Sequence, residues 1–282
     1  MDTFYSVVSH ILEQESAALS RETKKTYRFV LSKFQRACPD IACEAINAVV
    51  IRSFSDSMRQ HGNSGNTVSK TLAALKTLVN KARRRALIPT DPFADIRIPK
   101  INSTRQYLTT EELKFLHTHF LADREKLARP EHDAVLAFLF ACYTGLRYSD
   151  LKSLTQSEIQ NNRIRKQMHK TGDIVYIPLT AQAIALLKIA RKQSDGRLLK
   201  VTENSYFNRH LRSGAKKLGF QKHIHCHLAR HTFATTCLTL GIPLEVTSKL
   251  LGHRNVSTTM IYAKYVDKVL DAEMEKFREL DK

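Results

Sequence analysis

Apolar residues in the first hundred positions recur every three or four places, the spacing of helices that bury one face. Residues 2–18 carry Phe4, Val7, Val8, Ile11 and Leu12 in this register. A second stretch, 21–38, puts Tyr27, Val30, Leu31 and Phe34 on one side. Ser20 precedes it as a natural N-cap, since its hydroxyl can accept an orphan N–H of the first turn. The pattern predicts a third helix over 43–60, a turn at Gly62-Asn63-Ser64-Gly65-Asn66, and a fourth helix over 67–86. That last helix turns Leu72, Leu75, Leu78 and Val79 inward and ends in the basic run Arg83-Arg84-Arg85.

Pro89, Pro92 and Pro99 then break the periodicity, predicting a linker over 87–105 and two domains, 1–100 and 101–282. Thr109-Thr110-Glu111-Glu112 has the form of a cap opening a new helix. The second domain is also mainly helical, with one exception. Over 164–179 the β-branched run Ile174-Val175-Tyr176-Ile177-Pro178 follows the turn signal Lys170-Thr171-Gly172-Asp173, which predicts a β-hairpin. Residues 266–280 space Val266, Val269, Leu270, Met274 and Phe277 by threes and fours, an amphipathic helix suited to docking on its own domain or a neighbour. The fold class expected is mainly α with a small β-hairpin or sheet.

Composition narrows the partners. The 282 residues are 43% hydrophobic and 26% charged, enough for real cores in two domains. No apolar run reaches bilayer length, and Asp2, Glu13 and Glu15 interrupt any leader-like pattern, so a soluble, cytoplasmic protein with no membrane partner is expected. Five cysteines without a CxxC pair point to reduced, mostly buried thiols. The net charge of +18 makes nucleic acid the default partner, because a polycation releases the counterions condensed on a polyanion. Residues 1–100 hold 16 Lys and Arg against 9 Asp and Glu, and the remainder 29 against 18. Both halves are basic, so both are expected to touch the polymer.

Metal-independent cleavage of a phosphodiester needs a nucleophile, cations for the non-bridging oxygens, a base, and an acid for the leaving oxygen. The chain has a candidate for each. Arg147, in Thr144-Gly145-Leu146-Arg147, and Arg230, in His227-Leu228-Ala229-Arg230-His231-Thr232, offer planar guanidinium forks matched to phosphate oxygens. Asp150, three residues after Arg147, can orient a neighbouring basic side chain. His227 shares a helix face with Arg230 and can accept a phenolic proton, because imidazole titrates near neutrality. His253, in Leu251-Gly252-His253, can donate to the same phosphate. Tyr262 follows after Ser257-Thr258-Thr259 as candidate nucleophile, with Tyr265 as its decoy. Lys170 is the candidate acid, with Lys166 nearby. His223, His225, Cys226, His227 and His231 crowd together, but their spacings fit no common zinc pattern, so no metal site is assigned. His231 reads as a structural neighbour rather than a catalyst.

Taken in order, Arg147, Lys170, His227, Arg230, His253 and Tyr262 resemble the set of the tyrosine recombinase (phage integrase) family, and the resemblance covers nearly the whole chain. It implies a two-domain C-shaped clamp, with an N-terminal helical SAM-like core-binding domain and a tyrosine recombinase catalytic domain. It also implies attack by Tyr262 to form a 3′-phosphotyrosyl bond, and general acid catalysis by Lys170, without cofactor, ATP or metal. The implied partners are double-stranded DNA with inverted-repeat core sites and three further copies of the chain. The tetramer would be joined through the helix at 266–280 and associated with the nucleoid, with an accessory DNA-bending protein as an optional addition. Thr67, Lys70, Lys76, Arg83, Arg84 and Arg85 are the expected phosphate contacts of the first domain. The Cys226-to-Thr235 string is similar to integrases of mobile elements from Bacteroides-like bacteria. The alternatives to a site-specific recombinase are a type IB topoisomerase, which rejoins the original strand, and a basic DNA-binding protein without chemistry.

Overall fold

The computed structural model describes residues 3–99, 106–191 and 193–263. The helix expected over 266–280, the decoy Tyr265 and the linker residues 100–105 lie outside the described residues. The chain divides into two compact units, 1–104 and 105–282.

The first unit is a bundle of α1 (Phe4–Gln14), α2 (Arg21–Ala37), α3 (Ala48–Gln60) and α4 (Gly65–Arg83). Caps set their starts. Ser20 accepts from the Thr23 N–H, Asn47 from those of Val49 and Val50, and Ser64 from that of Thr67. The Ser64 cap places Gly65 and Asn66 inside α4 rather than in the expected turn. The first helix stops at Gln14 and a 3₁₀ turn follows at Ser16–Ala18. The third begins at Ala48, after a separate 3₁₀ turn at Cys43–Ala45. Phe4, Phe34 and Phe54 meet edge to face in the core. Ile88 and Phe93, from the proline-broken stretch, are buried in that same core, and the Asp91 carboxylate accepts from the Phe93 N–H. The linker is therefore packed structure up to Phe93.

The second unit is organised around α6 (Arg129–Thr144), which is buried on almost every side from Ala134 to Cys142. Against it pack α5 (Thr110–Asp123), α8 (Ala181–Ile189), α9 (Asn204–Lys217) and α10 (Cys226–Thr239). Thr109 and Glu112 form the expected capping box at the start of α5. A short α7 (Tyr148–Lys152) leaves the end of α6, and α11 (Leu244–Leu251) and α12 (Ser257–Ala263) follow α10. The hairpin is real but larger than the pattern showed. β1 (Ile159–Gln160) adds to β2 (Arg163–Gln167) and β3 (Ile174–Pro178), making a three-stranded antiparallel sheet in which Ile164 faces Ile177 and Lys166 faces Val175. Two residues are too few for alternation to be visible, which is why β1 escaped the sequence. Among the described residues no helix is long and apolar enough to cross a membrane.

Candidate active site

Two helix ends meet where the candidate arginines gather. Arg230 is 2% exposed, and its guanidinium donates from Nη1 to the Gly145 carbonyl at 2.8 Å and from Nη2 to the Leu251 carbonyl. Those carbonyls lie at the C-terminal ends of α6 and α11, where helix oxygens lack partners and the dipole is negative. Arg147, the residue before α7, donates from Nη2 to the next carbonyl, Gly252, at 3.4 Å. Burial lowers the pKa of both guanidiniums, and Arg147 lowers that of Arg230 further. Both still carry charge at neutral pH because guanidinium starts above 12. The result is a pair of cations fixed by backbone rather than neutralised by carboxylates, an arrangement that suits an incoming phosphate.

The turn that makes this meeting possible depends on glycine. Gly145 caps α6 at φ +68°, in the left-handed region that L side chains avoid. A Cβ there would stand 2.5 Å from Phe233 Cδ1. Gly252 caps α11 in the same conformation, and a Cβ would stand 2.7 Å from Val175 Cγ1. Close approach at Gly252 is what lets the sheet lie against the His253 loop.

His253 is half-buried and pairs through Nδ1 with Thr259 Oγ1 at 2.7 Å. Burial, reinforced by Arg230, Arg147, His227 and Lys170, pushes its pKa down to about 4. It is therefore neutral at physiological pH. When the Thr259 hydroxyl donates to Nδ1, the ring carries its proton on Nε2 and offers that N–H as a donor. Tyr262 is buried, and as a phenolate it would stabilise the charge of both Arg147 and Arg230, which places the phenol near the pair. The phenol oxygen lies 2.8 Å from His231 Nδ1, and the His231 ring meets the exposed His227 ring edge-on at 4.4 Å between centroids. His231 thus touches the candidate nucleophile directly. The signal was present in sequence, since His231 sits one helical turn after His227, but nothing in the pattern distinguished it from a packing residue.

Lys170 occupies the tip of the β2–β3 turn, exposed, and near enough to His253 for its charge to lower that pKa. Lys166 is 4% exposed and spends its ammonium on both Glu158 carboxylate oxygens at 2.9 Å. Lys166 belongs to the sheet. Asp150 is fully buried and forms no ion pair among the described contacts. Its Oδ1 accepts from the backbone N–H of His169 at 2.9 Å, while its charge acts on Arg147 and Arg230. It therefore holds the turn that carries Lys170 as well as biasing the arginines.

In the first unit the six expected phosphate contacts fall into two groups. Thr67 and Lys70 are exposed on α4, and Arg84 is exposed at its C-cap. Lys76 lies over the Phe93 ring at 5.7 Å, Arg83 pairs with Asp91 at 3.3 Å, and Arg85 approaches Glu15 at 3.9 Å. These three have partners within the fold, although Arg85 remains exposed. Sequence reasoning passed over α2, where Arg21, Lys25, Arg28 and Arg36 are exposed at helical spacing alongside Phe29. Among the described residues no group of three or more His, Cys, Asp or Glu could hold a metal ion.

Comparison with known proteins covers most of the chain. The model described as Phage integrase family matches residues 106–268, and that of the Phage integrase SAM-like domain matches residues 3–101. The tyrosine recombinase XerC of Bacillus subtilis is 32% identical over 231 residues, covering 75% of this chain and 74% of that protein. XerC of Alcanivorax borkumensis is 25% identical over 277 residues, covering 93% and 89%. In fold, the chain matches a lambda integrase dimer bound to a COC′ core site with a TM-score of 0.76 at 18% identity, over 93% of this chain and 77% of that one. It matches the Tn1549 transposon integrase in complex with transposon right end DNA at 0.77 and 16% identity, over 98% and 100%. The arginine pair, the hairpin lysine and the buried tyrosine therefore stand in a chain that belongs to the phage integrase family, a tyrosine-type site-specific DNA recombinase.

Proposed function

We propose that the chain recombines double-stranded DNA at paired inverted-repeat core sites, with Tyr262 as nucleophile. The observation that carries this reading is the placement of Arg147 and Arg230 on adjoining carbonyls, with the Tyr262 phenol inside the field of both. Tyr262 Oη attacks the scissile phosphorus, and its proton passes to the His231–His227 pair. The two guanidiniums and the Nε2–H of His253 take up the charge on the non-bridging oxygens. As the Oη–P bond forms, the P–O5′ bond breaks, and O5′ takes a proton from the Lys170 ammonium to leave as a 5′ hydroxyl. A 5′ hydroxyl of a partner strand reverses these steps on the 3′-phosphotyrosyl linkage, so bond energy is conserved. Side chains supply every group in this scheme, and no step is assigned to a cofactor.

Residues 1–100 act in this reading as the core-binding domain and 101–282 as the catalytic domain. Thr67 and Lys70 on α4 and Arg84 at its C-cap, joined by the basic face of α2, would contact phosphates and set register without choosing sequence. Solved structures of lambda integrase, including a tetramer bound to a Holliday junction, support assembly of four copies on DNA, here through residues 266–280. The Tn1549 likeness favours a mobile-element setting, and action on DNA suits a cytoplasmic, nucleoid-associated protein. An accessory DNA-bending protein is compatible with it.

Covalent capture tests the reading. Sheared and nicked DNA from the source organism is incubated with wild type and with Tyr262→Phe, without metal, and detergent-resistant adducts are sequenced. Adducts restricted to wild type and concentrated at one inverted repeat are expected. Tyr262-dependent adducts spread over all sequences would instead indicate a topoisomerase, and adducts that persist in Tyr262→Phe would move the nucleophile elsewhere.

A further inference from the structure

Arg254, the residue after His253, ties the loop of the active site to the turn that carries Lys170. Its Nε donates to Asp173 Oδ2 at 2.9 Å, and its Nη2 donates to the Thr171 backbone carbonyl and approaches Asp173 Oδ1 at 3.4 Å. On the other side of Lys170 the His169 N–H is held by Asp150 at 2.9 Å. Within the turn, the Gly172 N–H reaches the Met168 carbonyl at 2.8 Å and the Met168 N–H reaches that of Asp173 at 2.9 Å. The backbone is therefore anchored on both flanks of Lys170, while the lysine itself faces solvent. The Arg254–Asp173 pair draws each side chain toward its charged form, raising the arginine pKa and lowering that of the aspartate.

We propose that Arg254 and Asp173 are positioning residues that clasp the β2–β3 turn against the His253 loop, so that the Lys170 ammonium is delivered to the leaving O5′. The inference rests on the reading of Lys170 as the proton donor. A lysine at the tip of a two-stranded turn has a long tether. Its effectiveness as an acid depends on where the turn sits, since a misplacement of about an ångström costs a catalytic group on the order of a hundredfold. The clasp is solvent-exposed, and a pair of that kind shifts an equilibrium by only a few-fold. It can thus open when the turn must move and still favour the delivered position. Because the arginine is adjacent to His253, the same loop that holds one phosphate donor also sets the place of the acid.

The test uses the full-length protein and a nicked duplex bearing the target repeat, in two forms. One has the ordinary phosphodiester, and the other has sulfur in place of the 5′ bridging oxygen. A thiol ionises at a pKa of about 8.5, so the sulfur leaves as thiolate with little need of a proton donor. Rates of adduct formation are measured for wild type, Lys170→Ala, Arg254→Ala, Asp173→Asn and the exchange Arg254→Asp with Asp173→Arg. Arg254→Ala and Asp173→Asn should each slow cleavage of ordinary DNA by about two- to five-fold, the shift that an exposed pair supplies. They should leave the sulfur substrate near the wild-type rate and add nothing to the loss in Lys170→Ala. The exchanged pair should recover part of the rate. Equal losses on both substrates, confined to Arg254→Ala and accompanied by weaker DNA binding, would overturn the proposal and make Arg254 a phosphate contact. Unchanged rates on both substrates would overturn it too. If Lys170→Ala is itself not rescued by sulfur, the reading of Lys170 as acid fails, and the clasp with it.

Discussion

Gly145→Ala isolates the physical reason for the turn on which the arginine pair depends. Two costs add. An L residue held near φ +68° costs about 1–2 kcal/mol relative to glycine. The new methyl also meets Phe233 Cδ1 at 2.5 Å, Phe233 Cε1 at 2.9 Å and Leu251 Cδ2 at 3.1 Å, all of which must give way. Overpacking of this kind costs about 1–3 kcal/mol, for a total of about 2–5 kcal/mol. Gly196→Ala is the control, since Gly196 has φ +75° but no atom within 4 Å of the Cβ position, leaving only the backbone cost. Urea unfolding of both full-length variants, followed through the transition that shifts, gives the difference. Gly145→Ala should lose more stability than Gly196→Ala by at least about 1 kcal/mol. It should also lose cleavage activity, because the displaced Gly145 carbonyl is one of the two that hold Arg230. Equal losses in the two variants would falsify the packing argument and leave backbone conformation as the whole cost.

Two further outcomes follow from the same geometry. Lys166→Met should lower stability by about 2 kcal/mol by stranding Glu158, yet leave cleavage per folded molecule unchanged, whereas Lys170→Ala should reduce cleavage by about a hundredfold or more. A single-turnover assay that found the reverse would exchange the two assignments. His253 has a pKa of about 4 in the folded chain, below the unfolded value near 6.5. Between those values the unfolded chain takes up a proton that the folded chain refuses, so stability falls as pH drops from 6.5 toward 4. Urea midpoints at pH 7 and pH 5 should differ less in His253→Gln than in wild type, and equal differences would show that His253 does not titrate in this way.

Much of the fold was legible because helices announce themselves locally. Each of the four N-terminal helices buries the apolar stripe that its spacing defines, and Ser20 and Thr109 cap as their chemistry requires. The discrepancies are equally local in origin. Ser64 out-competes the glycine signal at the start of α4, and β1 is too short to show a period. Of the basic residues, Lys76, Arg83 and Arg85 looked equivalent to Lys70 in sequence. Their partners Phe93, Asp91 and Glu15 lie 8 to 70 positions away, and spacing along a helix carries no information about them.

The same division runs through the site. The amino-acid sequence by itself determined the residue types and their order: two arginines that stay charged, histidines near neutrality, a phenol after Leu-Gly-His, and glycines where the backbone must turn left-handed. Those properties are intrinsic to each side chain or to its immediate neighbours. Only the tertiary structure decided that Arg230 binds the ends of two helices, that Lys166 is spent on Glu158 while Lys170 is exposed, and that His231 touches the phenol. It also decided that Arg254 reaches back 81 residues to Asp173. Hydrogen bonds and ion pairs act over a few ångströms of space, and which residues come within that reach is set by how the helices and sheet pack, not by their separation along the chain.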